Sequence, residues 1–493
     1  MLHAARNKPA IAATALLLVF TTSCGGSDDT PITGPPPTTE PIHTTDPPWI
    51  PDQPPSGLSP STPLVTIEGD SVEVSVKARD DVAMSYMGYR LGPPANLTDS
   101  TTGRWTKSGS AALWFRVQSG WVGESQVTVF ARDCIDPVGR CDPDRVGQLG
   151  SAVVDTLVVA PSKTRQQTAV PMPGWAGDWT FDAKRNRLYI SQRDSLRINV
   201  FSLTSLRWEP SINLPAHPFG IDTSISEDTL LVAFASDPPV LGVIDLTLVS
   251  PQLVDLIVLD FGPRWVDIQY KYAEFVKVAA NGKAVISINS DDFTGGDIMT
   301  LDLATGAQLV RDDVSPHSQR LTWLMPLTRS HDRSRVMVLA DDACCPVLAS
   351  VYDAASDQFT PLMPVTDGFF PSTSASADGS AFMVNGEVFD SSLNPIADLD
   401  WLQFDQEFTR WPRGALSHDG SKAYFSTRYG YVAIDVAQKQ IIERVRTRAY
   451  WHALVPRHAM TLMTTPDGSR LIMRSDYNPV RPEHAELTIV ELP

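Results

Sequence analysis

The chain has 493 residues, about three times the typical size of one domain, so two or more domains are expected. Its composition is 42% hydrophobic, 20% charged and 8% aromatic, which suits a folded globular body. The formal charge is −17, and cleavage of a leader carrying Arg6 and Lys8 would make it two units more negative. A body this acidic repels phosphate backbones, which argues against a nucleic-acid partner.

Residues 1–23 read as an address. Arg6 and Lys8 give a positive start, and residues 9–20 (PAIAATALLLVF) are almost wholly apolar. Such a run is too short to span a bilayer and suits the core of a signal peptide. Thr21-Thr22-Ser23-Cys24-Gly25 follows directly. A small residue before a cysteine at this point resembles the lipobox of bacterial lipoproteins, although Thr21 stands where that family prefers Leu. The resemblance implies cleavage before Cys24, lipidation of its thiol and a membrane anchor; the competing reading is ordinary secretion with a free thiol. The absence of Asp after the cysteine points to the outer membrane. Residues 24–63 form a Pro/Thr-rich tether, since twelve of the forty prolines lie in residues 31–63. At about 3 Å per residue it reaches roughly 100 Å and holds the folded part away from the membrane.

Short apolar runs at 64–67, 72–76, 84–89, 112–117, 126–130 and 153–159 predict a small β-sandwich over residues 64–160. The strand endings Lys77-Ala78-Arg79-Asp80 and Phe130-Ala131-Arg132-Asp133 resemble bacterial immunoglobulin-like modules. Asp80, Asp81, Asp133 and Asp136 are turn formers or, alternatively, calcium ligands. Cys134 and Cys141 enclose a six-residue loop suited to a disulfide-closed hairpin, which fits an exported protein. Cys344 and Cys345 are adjacent, so they form a strained ring or remain two thiols.

Residues 166–493 carry seven copies of a polar turn followed by an apolar strand. The turn column falls at 185, 228, 282, 333, 379, 420 and 468, a spacing of about 47 residues. Asp378-Gly379-Ser380, Asp419-Gly420-Ser421 and Asp467-Gly468-Ser469 are its clearest members. A second column closes the following strand, mostly on Asp, at Ser202, Asp245, Asp302, Asp353, Asp390, Asp435 and Glu491. Each unit therefore predicts a four-stranded antiparallel blade, and the fold class is all-β: a seven-bladed β-propeller preceded by a small immunoglobulin-like sandwich. The last unit lacks an outer strand, and residues 166–172 are expected to supply it. This pattern, with His217-Pro218-Phe219-Gly220-Ile221, resembles the YVTN/lactonase-like seven-bladed propeller superfamily over about two thirds of the chain.

The loops entering the inner strands share one face, and they bring Trp179, His217, Phe219, Arg264, Trp265, Trp323, Trp411, Arg413 and His458 to it as a candidate ligand face. Aromatic and Arg side chains offer large, stiff contact surfaces, while any one of them can instead be packing between blades. Asp194, Asp237, Asp291, Asp292, Asp341, Asp342 and Asp476 follow second strands and are weak candidates for a divalent cation. No other cofactor is expected. No G-x-S-x-G, H-E-x-x-H or P-loop pattern occurs. The metal-dependent lactonases of the superfamily need a ring of ligands at the inner-strand starts, and only Asp222 stands near such a position. The leading expectation is an exported lipoprotein, not an enzyme, whose propeller face binds a protein, glycan or small ligand of the cell envelope. A lactonase-type hydrolase with its site in the propeller channel and a purely structural assembly platform are the alternatives.

Overall fold

The computed structural model describes residues 56–61, 65–67, 71–79, 84–105, 108–118, 120–133, 149–174, 176–236, 238–261, 271–290, 296–314, 323–324, 327–341, 347–366, 372–399, 414–427, 430–447, 460–475 and 486–493. The leader, Cys24, Cys134, Cys141, Cys344 and Cys345 lie outside them. Every regular element among the described residues is a β-strand.

Two sheets form the N-terminal part. One has three strands, Ser56–Ser61, Ser71–Arg79 and Ser108–Arg116; the other has five, in the order Val65–Ile67, Leu149–Ala160, Gly123–Asp133, Met84–Leu91 and Thr98–Trp105. Period-2 alternation drives them together, because Val72, Val74 and Val76 of one share a buried cluster with Met87, Tyr89, Val127 and Val129 of the other. Each of the apolar runs read above overlaps one of these strands. Ser56–Ser61, within the stretch expected as tether, pairs antiparallel with Ser71–Arg79. It is an edge strand, a place where a proline is tolerated. Asp133 ends its strand, and Asp80, Asp81 and Asp136 lie outside the described residues.

Seven further sheets follow, numbered here in chain order by their innermost strand. Sheet one is Ala176–Asp182, Arg187–Gln192, Arg197–Ser202 and Arg207–Asn213; sheet two is Pro218–Thr223, Thr229–Phe234, Val240–Asp245 and Gln252–Val258. Sheet three is Lys271–Val278, Lys283–Ser290, Asp297–Asp302 and Gln308–Val310. In sheet four, Trp323–Leu324 and Thr328–Arg329 both pair Arg335–Asp341, and Val347–Asp353 pairs Gln358–Phe359 and Met363–Thr366. Sheet five is Thr373–Ala375, Ala381–Val384, Glu387–Asp390 and Pro395–Asp398. Sheet six is Gly414–Leu416, Lys422–Thr427, Gly430–Asp435 and Gln440–Arg446, extended in parallel by Lys163–Thr164. Sheet seven joins both ends of the region: Met460–Thr464, Arg470–Ser475 and Glu486–Glu491 are completed by Gln167–Pro171, in register Gln167 to Val490 through Pro171 to Glu486.

The apolar runs lack polar alternation because both faces of the middle strands are covered. In Thr229–Phe234, Leu230 and Val232 pack toward sheet one, while Leu231 and Ala233 pack toward sheet three. The same arrangement repeats along the chain, with buried clusters joining sheets three and four, four and five, five and six, and six and seven. The final cluster joins seven to one, setting Ile472, Leu487 and Ile489 against Leu188, Ile190 and Phe201. Full burial of each such side chain is worth about 1.5–3 kcal/mol.

The turns explain the repeat. In the turn that leads into the second strand of each sheet, one residue has left-handed backbone: Asn186, Glu227, Gly282, Arg333, Gly379, Gly420 and Gly468. The expected column holds at five sheets and moves by one residue in sheets one and two, where Asn186 and Glu227 take this conformation. In the Gly-containing turns of sheets five to seven an Asp closes the loop. Asp378, for example, accepts from the Ser380 amide at 3.0 Å and the Ser376 hydroxyl at 2.9 Å. The second Asp column works as expected: Asp302 accepts from the amides of Ala304 and Thr305, and Asp353 from that of Ala355.

Inner strands of neighbouring sheets approach closely. A Cβ placed on Gly220 would lie 2.4 Å from Phe275 Cα and 2.8 Å from Glu274 O, both backbone atoms. Gly220→Ala is therefore expected to cost about 1–3 kcal/mol by overpacking. Chemical denaturation reads this directly, and an unchanged midpoint would contradict so close an approach.

Candidate functional site

The inner strands of sheets one to three share a local irregularity. Ala176 faces Gln192 and Trp179 faces Ile190, so Gly177 and Asp178 stand against Ser191 alone. Pro218 faces Phe234 and Ile221 faces Val232, so Phe219 and Gly220 stand against Ala233. Ala273 faces Ile288 and Phe275 faces Ser287, which leaves Glu274 without a partner residue. Each is a one-residue bulge, a device that re-aims a side chain and is common beside functional sites. Here three bulges in successive sheets turn Asp178, Phe219 and Glu274 toward one another's neighbours.

Arg193, in the turn after Arg187–Gln192, links these groups. Its guanidinium carbon lies 4.6 Å from the centre of the Phe219 ring and 5.7 Å from that of Phe275. One Nη reaches Glu274 at 3.4 Å, the far edge of hydrogen-bonding range. Phe219 also stacks on Tyr272, with ring centres 5.4 Å apart. Glu274 is buried and takes a hydrogen bond from the Asn289 amide. Burial raises its proton affinity above the ordinary Glu value, against the opposing pull of Arg193 and Asn289. The Ser191 hydroxyl fixes the floor: it donates to Phe219 O at 2.6 Å and accepts from the Asp178 amide at 2.9 Å.

A second layer is buried and ionic. Lys277 Nζ lies 2.7 Å from Asp178 and donates to Ile221 O at 3.0 Å. Asp222 is fully buried and accepts from Arg329 Nε at 2.7 Å and Nη2 at 3.0 Å, from the Thr180 hydroxyl at 2.7 Å and from the Val278 amide at 2.8 Å. Arg333 adds its charge at 3.6 Å from Asp222 and donates to Thr223 O and Oγ1 at 2.7 Å each. These cations hold Asp222 well below the usual carboxylate range despite its burial. Its oxygens are thus occupied by donors from sheets one, three and four.

Of the expected ligand face, Trp179, His217, Phe219 and Trp323 are among the described residues. Phe219 belongs to the cluster and is half-buried; His217 is exposed at the strand entry. Trp179 is buried in the core between sheets seven and one, 9% exposed, with the Arg474 guanidinium 4.9 Å from its ring centre. It is packing rather than contact surface, because its strand has turned it into that seam. Trp323 pairs Asp341 in sheet four, and Arg264, Trp265, Trp411, Arg413 and His458 lie outside the described residues. Of the Asp candidates, Asp194 is exposed after the second strand of sheet one and Asp341 ends that of sheet four. Asp237, Asp291, Asp292, Asp342 and Asp476 lie outside the described residues. No group of three or more His, Cys, Asp or Glu suited to a metal occurs among the described residues.

Sequence reasoning missed Arg193, Glu274 and Lys277. The signal for two of them was present in Lys271-Tyr-Ala-Glu-Phe-Val-Lys277, a strand whose core run is interrupted by charges. No protein-family model matches the chain, and no curated protein matches it.

Proposed function

We propose that this chain is an exported lipoprotein, anchored through Cys24, that recognises a ligand on one end of a seven-bladed β-propeller. The propeller reading is supported by seven sheets whose cores join each to the next and the last to the first. It is further supported by a sheet built from both ends of the region. The two facing sheets before it suit an immunoglobulin-like spacer. The resemblance to the YVTN/lactonase-like superfamily agrees with this reading, and the partner is a protein, glycan or small ligand of the cell envelope.

The observation that carries recognition is the set of three bulges around Arg193, Phe219 and Glu274. Rigid strands hold an aromatic surface beside a partly exposed guanidinium, a combination that binds without needing to perform chemistry. Against the lactonase alternative stands the engagement of Asp222 by Arg329 and Arg333. A panel of envelope glycans, peptides and small acids should include at least one binder to the full-length protein in detergent. Binding is expected to persist in EDTA and to fall at least about tenfold in Phe219→Ala, as for a central contact residue. Binding unaffected by that variant would move the site elsewhere, and metal-dependent lactone turnover would favour the hydrolase. For the anchor, radiolabelled palmitate should label the wild type and not Cys24→Ser.

A further inference from the structure

Arg193 is held in position but poorly satisfied. Its Nε is buried and has no hydrogen-bond partner, and its one ion-pair contact among the described residues is the long one to Glu274. Yet 30% of the side chain is exposed, so another molecule can reach it. A guanidinium fixed over two aromatic rings and short of acceptors is arranged to take a planar, two-oxygen partner.

The surrounding charges set the ligand's charge. Lys277 is committed to Asp178, and the Arg474 guanidinium donates to Gly177 O at 2.8 Å. Glu274 compensates Arg193 weakly, being buried, shared with Asn289 and distant. Among the described residues Arg193 has only this long ion pair, so a monoanion fits better than a doubly charged phosphate ester, which Glu274 would also repel.

We propose that Arg193 binds the carboxylate of a small monoanionic ligand, with Glu274 as the internal anion that the ligand displaces. This deepens the recognition reading above and rests on it. Two sources share the chemistry, a uronic-acid sugar and an N-acylated amino acid.

The test is titration calorimetry on the full-length protein in detergent with glucuronate and N-acetylalanine, each against its neutral methyl ester, and with glucose 6-phosphate. At least one acid is expected to bind tenfold or more tighter than its ester; the acid that does so identifies the source. Arg193→Gln should erase that difference, bringing the acid down to the affinity of its ester. Glu274→Gln should strengthen the acid at least threefold, because it removes a competitor rather than a contact. An ester that equals its acid, a phosphate ester that binds most tightly, no binding by either acid, or a Glu274→Gln that weakens the acid would each overturn the proposal. The wild-type comparison stands even where a variant fails to fold. If neutral ligands bind and lose affinity in Phe219→Ala, recognition survives without the carboxylate. If nothing in either panel binds, both readings fail.

Discussion

Asp222→Ala is expected to cost about 3–5 kcal/mol, because it leaves the half-buried Arg329 and the buried Arg333 without their counter-ion. The carboxylate also accepts from the Thr180 hydroxyl and the Val278 amide, so four donors lose their acceptor at once. Those donors come from sheets one, three and four, so the damage spreads across inner strands. A double-mutant cycle with Arg329→Ala gives the decisive reading. Each single change should be severe, and the double variant should be clearly less destabilised than the sum, since removing both partners leaves fewer stranded charges. Additive losses would mean that the pair is not coupled. The pH dependence follows from the sign of the shift. Asp222 has a folded pKa below its unfolded value, so its contribution is complete above about pH 4 and is lost only as pH falls toward the folded value.

The architecture was legible because its signals are local. A Ser or Thr two residues before Asp, then Gly and Ser, specifies a turn through hydrogen bonds that the same residues make at Ser376, Ser417 and Thr465. The column slipped at Asn186 and Glu227, where no Gly marks the left-handed residue. Glu227 holds that strained conformation while its carboxylate caps the Ala183 and Lys184 amides of the preceding sheet, a reason invisible without the neighbour. Ser56–Ser61 and Thr98–Trp105 escaped notice because Ser, Thr and Gly give no apolar alternation. The site was hidden for a different cause. A bulge changes which face a residue occupies, so alternation alone does not place Asp178 and Glu274, and Trp179, one of the residues expected on the face, turns into the core.

Acid is expected to weaken the protein well before its carboxylates protonate, through His331. Burial, with help from Arg329 and His418, pushes this imidazole down to about 4 from 6.5. Its ring stacks on that of His418 at a centre distance of 6.4 Å, and Asp332 and Asp467 oppose the shift only in part. The folded protein therefore prefers the neutral ring, whereas the unfolded chain protonates near pH 6.5. Stability from this group is complete above about pH 6.5, declines as pH falls, and levels off below about 4. At 1.36 kcal/mol per pH unit the loss approaches about 3 kcal/mol. Glu274 acts with the opposite sign, because its folded pKa is raised and its burial costs stability as pH rises past the ordinary Glu value. It thus partly masks the histidine in the wild type. Urea unfolding midpoints at pH 7, 6, 5 and 4 for the wild type, His331→Asn and Glu274→Gln separate the two. His331→Asn should flatten the decline between pH 6.5 and 4, and Glu274→Gln should steepen it. An Asn variant that keeps the full wild-type slope would assign the acid sensitivity to other groups and leave the stacked pair as packing alone.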